Sequence, residues 1–172
     1  MRTDVPHYRR TPWLDPRIEA RPSRIESRGL FARDPIHAGE VVAVMGGLPI
    51  TTAQLAEIVA TGNPYSCAAI DEDVHLLRDA EDALRFGNHS CDPNLWMRDA
   101  VTLEARRVIQ PGEEITTDYA LMTDDPEWRM QCHCGSRECR GVIRGDDWQR
   151  DDLQSRYRGH FIPFIAKRIQ GG

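Results

Sequence analysis

The segment Asn88-His89-Ser90-Cys91-Asp92-Pro93-Asn94 holds one of the five cysteines in this 172-residue chain. Three more lie in Cys132-His133-Cys134-Gly135-Ser136-Arg137-Glu138-Cys139-Arg140-Gly141. These three fall within eight residues, too close together to satisfy one another as disulfides. Four thiolates are what a closed tetrahedral zinc site requires. The spacing therefore predicts a metal site that fastens the later part of the chain to its middle.

The candidate zinc ligands are Cys91, Cys132, Cys134 and Cys139, and reduced thiols in a core are the alternative interpretation. Four protein ligands leave no open position for water, so such a zinc ion is structural. His133 is left out of the set because both of its neighbours are already ligands. The remaining Cys67 is interpreted as a buried free thiol.

The composition is that of a soluble globular protein, with 40% apolar and 28% charged residues. No apolar run is long enough to cross a membrane, and the first residues lack the apolar core of a signal peptide. We therefore expect a cytoplasmic protein with reduced thiols, with a nuclear protein or a secreted effector as the alternatives, and its small size suits a monomer. A net charge of −5 does not indicate direct nucleic-acid binding.

Short apolar and β-branched runs predict strands. Val41-Val42-Ala43-Val44 is one, and Ile115-Thr116-Thr117 is another. Leu95-Trp96-Met97-Arg98 and Val101-Thr102-Leu103-Glu104-Ala105, joined at Asp99-Ala100, have the pattern of a hairpin. The pattern predicts a mostly β fold with a few peripheral helices.

Two turns have the same design. Ile36-His37-Ala38-Gly39-Glu40-Val41 and Ile109-Gln110-Pro111-Gly112-Glu113-Glu114-Ile115 each place a glycine turn before a strand. We interpret the similarity as recurrent turn chemistry and not as a sequence repeat.

Four helices are predicted. Thr51-Thr52-Ala53-Gln54 is a capping box, and it begins a helix that ends at Gly62. The pair Asp125-Pro126 predicts a helix over Glu127-Trp128-Arg129-Met130. The other two are expected from Asp146-Asp147 to about residue 158 and after Pro163.

Three further segments carry polar residues or glycine near predicted strands. Asn88-His89-Ser90 offers donors and acceptors to a polar ligand, and an ordinary turn explains it equally well. Gly112 to Tyr119 predicts a turn, a strand and a tyrosine at the strand end, where tyrosines are usually packing residues. In Ser27-Arg28-Gly29-Leu30-Phe31-Ala32, the glycine lets a backbone or a ligand approach closely.

Together these segments resemble the SET-domain protein lysine methyltransferases with a post-SET zinc motif. Residues 85–94 match R-F-x-N-H-S-C-x-P-N, residues 112–119 match G-E-E-[LI]-x-x-D-Y, and residues 132–141 match C-x-C-G-S-x-x-C-R-G. The segment from Ser27 resembles the first cofactor loop of that family. The matches follow the family's order and cover about residues 22–145.

The resemblance implies a β-clip SET fold of several small curved sheets with a knot-like core. It implies an N-terminal arm over residues 1–21, a SET domain over 22–121, a post-SET zinc segment over 122–145 and a helical tail over 146–172. The implied cofactors are S-adenosylmethionine and structural zinc. The implied partner is a lysine-bearing protein or peptide, with no membrane and no nucleic acid.

The resemblance also implies residue roles. Tyr119 matches the catalytic tyrosine, and Cys91, Cys132, Cys134 and Cys139 match the zinc ligands. The implied cofactor-binding residues are Ser27, Arg28, Gly29, Leu30, Tyr65, Arg85, Asn88 and His89.

The chain departs from the family pattern at three positions. Ser27 replaces the usual glycine of the first loop. Thr117 replaces a common Phe or Tyr, which implies a roomier site and more than one added methyl group. Val142 replaces an aromatic residue that packs on adenine, a role that Ile143 or Trp148 could take.

Two other functions fit the same residues. One is a SET-fold binding module without catalysis, although retention of Tyr119 argues against it. The other is a methyltransferase for a small-molecule amine.

Overall fold

The computed structural model describes residues 8–63, 65–78 and 81–171 of the chain. Short strands dominate this part, which confirms the predicted mostly β fold. The strands are β1 (Trp13–Leu14), β2 (Ile18–Pro22), β3 (Arg28–Ala32), β4 (Val41–Val44), β5 (Leu48–Ile50), β6 (Ser66–Asp71), β7 (Val74–Arg78), β8 (Asn88–His89), β9 (Leu95–Met97), β10 (Thr102–Ala105), β11 (Glu114–Thr117), β12 (Arg129–Gln131) and β13 (Val142–Arg144). The α-helices are α1 (Thr52–Ala60), α2 (Asp151–Arg156) and α3 (Pro163–Gly171). Short 3₁₀ turns cover Ala83–Phe86, Tyr119–Leu121 and Asp147–Gln149.

The strands form three sheets. The largest follows the order β1-β4-β10-β9-β11-β3-β2, with β8 also beside β11. The smaller sheets are β5-β7-β6 and β12-β13. In the largest sheet β11 runs antiparallel to β3 and parallel to β8, so that Ile115 lies opposite Leu30 and Thr117 lies opposite His89. Strand β11 therefore brings the three motif segments together.

The predicted strands and hairpin are confirmed. Strand β4 has the predicted bounds, and β9 pairs with β10 through a turn in which the Asp99 carboxylate accepts from the N–H groups of Val101 and Thr102. Within the predicted N-terminal arm, β2 pairs along its whole length with β3. Residues 1–7 of that arm lie outside the described residues, and the domain bounds stay a prediction.

The two similar turns meet in the structure. Ile36 and Ile109 form an antiparallel bridge, with N–H to O distances of 3.0 and 2.9 Å in the two directions. Gly39 and Gly112 have φ angles of +81° and +84°, which side chains rarely tolerate. The shared turn chemistry thus serves two adjacent connections.

Helix α1 begins at the predicted capping box. The Thr51 side chain accepts from the Gln54 N–H, and the Gln54 side chain accepts from the Thr51 N–H. Gly62 follows the helix in the left-handed region, at φ +68°. None of the α1 residues is buried.

The predicted helix over residues 127–130 is wrong. Asp125 does begin a turn, since its carboxylate accepts from the Glu127 N–H at 3.0 Å. The next residues form β12, which pairs with β13. A four-residue helix is too short to hold itself together, whereas a second strand satisfies the same backbone groups.

The helix predicted from Asp146 is interrupted. A 3₁₀ turn at Asp147–Gln149 precedes α2, and Asp146 caps neither with its side chain. The Asp147 carboxylate instead accepts from the Arg144 N–H and lies 3.0 Å from Arg140 Nε. An ion pair with Arg140, seven residues earlier, therefore takes the place of the predicted side-chain cap.

The buried side chains form two clusters. The larger one includes residues from β2, β3, β4, β9 and β10, and it also takes up Leu153, Phe161 and Phe164 from the tail. The smaller one is formed by Cys91, Cys132 and Ile143, with Tyr119 and Trp128 packed against it. Within the described residues, no helix has the length and apolar character needed to span a membrane.

Candidate active site and metal centre

Tyr119 lies at the end of the β11 segment, at the start of a 3₁₀ turn capped by the Asp118 side chain. Its hydroxyl donates to the Gly87 carbonyl at 2.9 Å, and its backbone N–H donates to His89 Nδ1 at 3.2 Å. Burial raises the pKa of Tyr119 above its usual value, against an opposing effect of Arg78. The hydroxyl is therefore protonated at neutral pH and can both donate and accept a hydrogen bond.

The four predicted zinc ligands converge. The Sγ atoms of Cys91, Cys132, Cys134 and Cys139 all lie within 4.8 Å of one another. The Sγ atoms of Cys91 and Cys132 are 3.8 Å apart. Tetrahedral zinc with Zn–S bonds of about 2.3 Å places sulfur atoms about 3.8 Å apart. The cluster thus fits a tetrahedral thiolate site.

The protonation of Cys91 and Cys132 depends on metal. Burial raises the pKa of Cys91 to about 11 and also raises the pKa of Cys132. Both are therefore protonated at neutral pH when no metal is bound. Zinc binds thiolates, so its binding would release these protons and would strengthen as the pH rises.

A buried ionic network connects the cysteine segment to Tyr119. Arg140, next to Cys139, makes two hydrogen bonds to the Asp118 carboxylate, at 2.6 and 2.7 Å. The Asp118 side chain is fully buried and that of Arg140 is 7% exposed. The Tyr157 hydroxyl donates to the same carboxylate at 3.1 Å. The residue before Tyr119 is therefore fixed from both the cysteine segment and the C-terminal tail.

Replacing Arg140 by Met is expected to lower the free energy of unfolding by about 3–5 kcal/mol, because Asp118 would remain buried without its cation. The matched control is Arg150→Met. Arg150 pairs with Asp152 at the surface, where both side chains are about half exposed, and the expected loss is below about 1 kcal/mol. Urea unfolding of both variants measures the difference. Equal losses would show that the buried pair has no special role.

Asn88 makes its contacts inside the protein. Its Nδ2 group donates to Glu114 Oε1 at 2.7 Å and to the Arg28 carbonyl at 2.9 Å. The Ser23 hydroxyl lies 2.9 Å from both carboxylate oxygens of Glu114. A Cβ atom on Gly29 would collide with the Glu114 carboxylate. The close approach that Gly29 permits is therefore to a carboxylate of the same chain.

The other predicted cofactor-binding residues fall into two groups. The Arg28 and Arg85 guanidinium groups lie over the Phe86 ring, 4.3 and 4.6 Å from its centroid. The Arg28 contact joins the segment that begins at Ser27 to the segment that contains Asn88. Ser27 is exposed at the turn before β3, and Leu30 is buried in the core.

The predicted cofactor contact of Tyr65 stays a prediction. Tyr65 lies directly before β6 and is 48% exposed.

The position that usually carries an adenine-packing aromatic residue is apolar and accessible. The Val142 side chain at the start of β13 is exposed. Ile143, the next residue, is buried in the cysteine cluster. Trp148 packs against the main core. Ile143 therefore has no exposed side chain to offer, whereas the partly exposed Trp148 stays the candidate for this role.

Four residues of the site were not predicted: Ser23, Glu114, Arg140 and Tyr157. Arg140 lies within the cysteine motif, which was the available signal for it. Glu114 likewise lies within the segment that ends at Tyr119. No local pattern identifies Ser23 or Tyr157, because their partners lie 91 and 39 residues away.

These features define a class of protein. The SET domain family model matches residues 27–120, and the chain belongs to this family.

Proteins that are similar to this chain in sequence include histone-lysine methyltransferases. Histone-lysine N-methyltransferase 2B of Homo sapiens is 34% identical over 133 residues, which is 70% of this chain and 5% of that protein. The H3 lysine-4 specific histone-lysine N-methyltransferase of Cryptococcus neoformans is 33% identical over 137 residues, 70% of this chain and 9% of that protein. The chain thus spans a small part of these relatives.

A solved structure supports the fold. The methyltransferase domain of human histone-lysine N-methyltransferase SETMAR has a TM-score of 0.59 at 22% identity, over 74% of this chain and 58% of that one. The similarity confirms the SET fold that the motifs predicted.

Proposed function

We propose that this chain is an S-adenosylmethionine-dependent protein-lysine N-methyltransferase with Tyr119 as its catalytic residue. The observation that carries the proposal is the Tyr119 hydroxyl, which is held 2.9 Å from the Gly87 carbonyl beside the four-cysteine cluster. The relatives supply the reaction class, since they are histone-lysine methyltransferases. The proposed acceptor is a lysine of a histone or another protein.

The residues around the Tyr119 hydroxyl fit this cofactor. S-Adenosylmethionine supplies an electrophilic methyl group on a positively charged sulfur. The Gly87 carbonyl and Tyr119 hydroxyl oxygens form a pair of acceptors suited to the polarised C–H groups of such a methyl. The proposed holding residues are Ser27, Arg28, Gly29, Leu30, Tyr65, Arg85, Asn88 and His89, with Leu30, Asn88 and His89 acting through their backbones because their side chains are buried.

The chain's task is to deliver a neutral amine in line with the methyl group. Free lysine has a pKa of about 10.4, so at pH 7 the neutral form costs about 4.6 kcal/mol. An apolar surrounding lowers that cost, and Tyr119 packs in the apolar cluster with Trp128 and Ile143. The Tyr119 hydroxyl then orients the amine, and positioning supplies most of the rate enhancement.

Thr117 determines how much space is available beside the lysine amine of the substrate. It is buried and lies opposite His89 and Leu95 in the sheet. Because threonine is smaller than the usual aromatic residue, we expect dimethyl or trimethyl lysine as the final product. Thr117→Phe should shift the product toward monomethyl lysine. Mass spectrometry at long reaction times measures the distribution, and exclusively monomethyl product from the unmodified enzyme would contradict the prediction.

The proposed function is tested by methyl transfer from labelled S-adenosylmethionine to core histones and to lysate proteins. Label on protein supports it. Label found only on small molecules would favour the small-amine alternative. No label, in a sample shown to bind the cofactor, would favour the binding module.

A further inference from the structure

The His89 ring is a buried titratable group that the proposed methyl transfer does not use. Its side chain is fully buried, and each ring nitrogen has a partner within the protein. The Tyr119 backbone N–H donates to Nδ1 at 3.2 Å. Nε2 lies 3.3 Å from Cys91 Sγ. The ring therefore bridges the candidate catalytic residue and a candidate zinc ligand.

The direction of both hydrogen bonds follows from the backbone group. An amide N–H can only donate, so Nδ1 is the acceptor and carries no proton. An imidazole whose Nδ1 accepts a hydrogen bond is neutral and carries its proton on Nε2. Nε2–H therefore donates to the Cys91 sulfur. The Arg140 backbone N–H also points to this sulfur, at 3.3 Å.

We infer that His89 is a positioning residue through which zinc at the cysteine cluster fixes the backbone of Tyr119. Metal-bound thiolates accept N–H hydrogen bonds, and such outer contacts orient the groups on both sides. A sulfur held by zinc is a fixed and strong acceptor for Nε2–H. The His89 ring is thereby held with Nδ1 facing the Tyr119 N–H. The centroids of the His89 and Tyr119 rings are 5.2 Å apart.

The His89 contact adjoins the network around Arg140, since His89 Nδ1 also lies 3.7 Å from Asp118 Oδ1, but it acts on a different group of Tyr119. The ionic network reaches Tyr119 through the Asp118 side chain, whereas His89 contacts the Tyr119 backbone directly. The effect of His89 on catalysis rests on the proposed function. The hydrogen bonds that connect Cys91, His89 and Tyr119 are independent of that function.

Two variants test the roles of the two His89 ring nitrogens separately. His89→Asn carries a short amide whose oxygen lies near the position of Nδ1, but it does not reach Cys91. His89→Gln carries a longer amide whose N–H group reaches the position of Nε2, but it offers no acceptor to Tyr119. A histidine that merely fills the core would respond alike to both changes.

The first measurement is zinc retention by the full-length chain against a chromogenic chelator. We expect His89→Asn to lose zinc about 10- to 100-fold more readily than the unmodified chain, because it lacks the contact to the metal-bound sulfur. His89→Gln should retain zinc better than His89→Asn. Equal retention by the two variants would overturn the inference.

The second measurement is the Tyr119 amide resonance in ¹⁵N NMR spectra, with and without zinc. We expect zinc to shift this resonance in the unmodified chain and to leave it nearly unchanged in His89→Gln, with the Thr102 amide of β10 as a fold control. Long-range ¹H–¹⁵N spectra should find the His89 proton on Nε2. The same zinc response in both proteins, or a proton on Nδ1, would overturn the inference.

A kinetic measurement adds the catalytic readout. With saturating zinc, His89→Gln should have a lower kcat than His89→Asn, by up to about 100-fold, because a displaced Tyr119 misaligns the reacting groups. KM for S-adenosylmethionine should change little between them. Equal kcat values would contradict the role in catalysis. The zinc and NMR results involve no methyl transfer, so they distinguish failure of this inference from failure of the proposed function.

Discussion

Replacing Tyr119 by Phe is expected to reduce methyl transfer by roughly 100-fold or more, the usual effect of removing a hydrogen-bonding group aligned with the reacting atoms. The substitution removes the hydroxyl that donates to Gly87 and keeps the ring that packs against Trp128 and the cysteine cluster. The fold and the zinc content should therefore be retained while the rate falls. Initial rates with labelled S-adenosylmethionine and core histones, or a lysate acceptor, measure the effect.

The matched control is Tyr8→Phe. Tyr8 packs against the main core, so this variant also removes one hydroxyl from a tyrosine ring but does so away from the site. Its rate should remain close to that of the unmodified enzyme. If Tyr119→Phe were as active as this control, Tyr119 would be a packing residue and the proposed mechanism would fail.

Loss of zinc is expected to have the second large effect. Structural zinc contributes about 10–16 kcal/mol to the folding of zinc-finger peptides at neutral pH. The segment from Trp128 to Gly145 buries only a small cluster, with Cys132 and Ile143 as its buried apolar residues. It therefore depends on the metal more than the main sheet does. A chelator should loosen residues 128–145 and abolish methyl transfer.

The change is measured by hydrogen exchange of residues 128–145 together with zinc content. Cys132→Ser should reproduce the effect of the chelator. Cys67→Ser is the control, because Cys67 lies in β6 outside the cluster and should leave the zinc content unchanged. Full activity in a sample verified to be free of metal would contradict the predicted dependence.

Local chemistry was the most predictable part of the fold. The Thr51 capping box, the Asp99 turn and the apolar run from Val41 to Val44 all formed as their residues predicted. Each is set by residues within a few positions of one another, so the sequence contains the whole cause. The helix after Asp125 failed because its alternative, pairing with β13, depends on residues more than ten positions away.

The sequence motifs predicted which segments form the site, but they did not predict the contacts between those segments. The cysteine spacing and the resemblance predicted the four sulfur atoms, and the structure brings them together. The role of Arg140 depends on Asp118, which lies 22 residues away, and that of Glu114 on Ser23, 91 residues away. Such pairs follow from the way in which distant segments of the chain pack together. That packing is a tertiary property that no local pattern contains.

The most direct test of the proposed function is to locate the transferred methyl group by mass spectrometry. The purified, zinc-loaded protein is incubated with labelled S-adenosylmethionine and either core histones or lysate proteins, in parallel with Tyr119→Phe. We predict label on the ε-amine of a protein lysine, lost or strongly reduced with the variant. Protein that binds cofactor and zinc yet labels no lysine on any protein would contradict the proposed function.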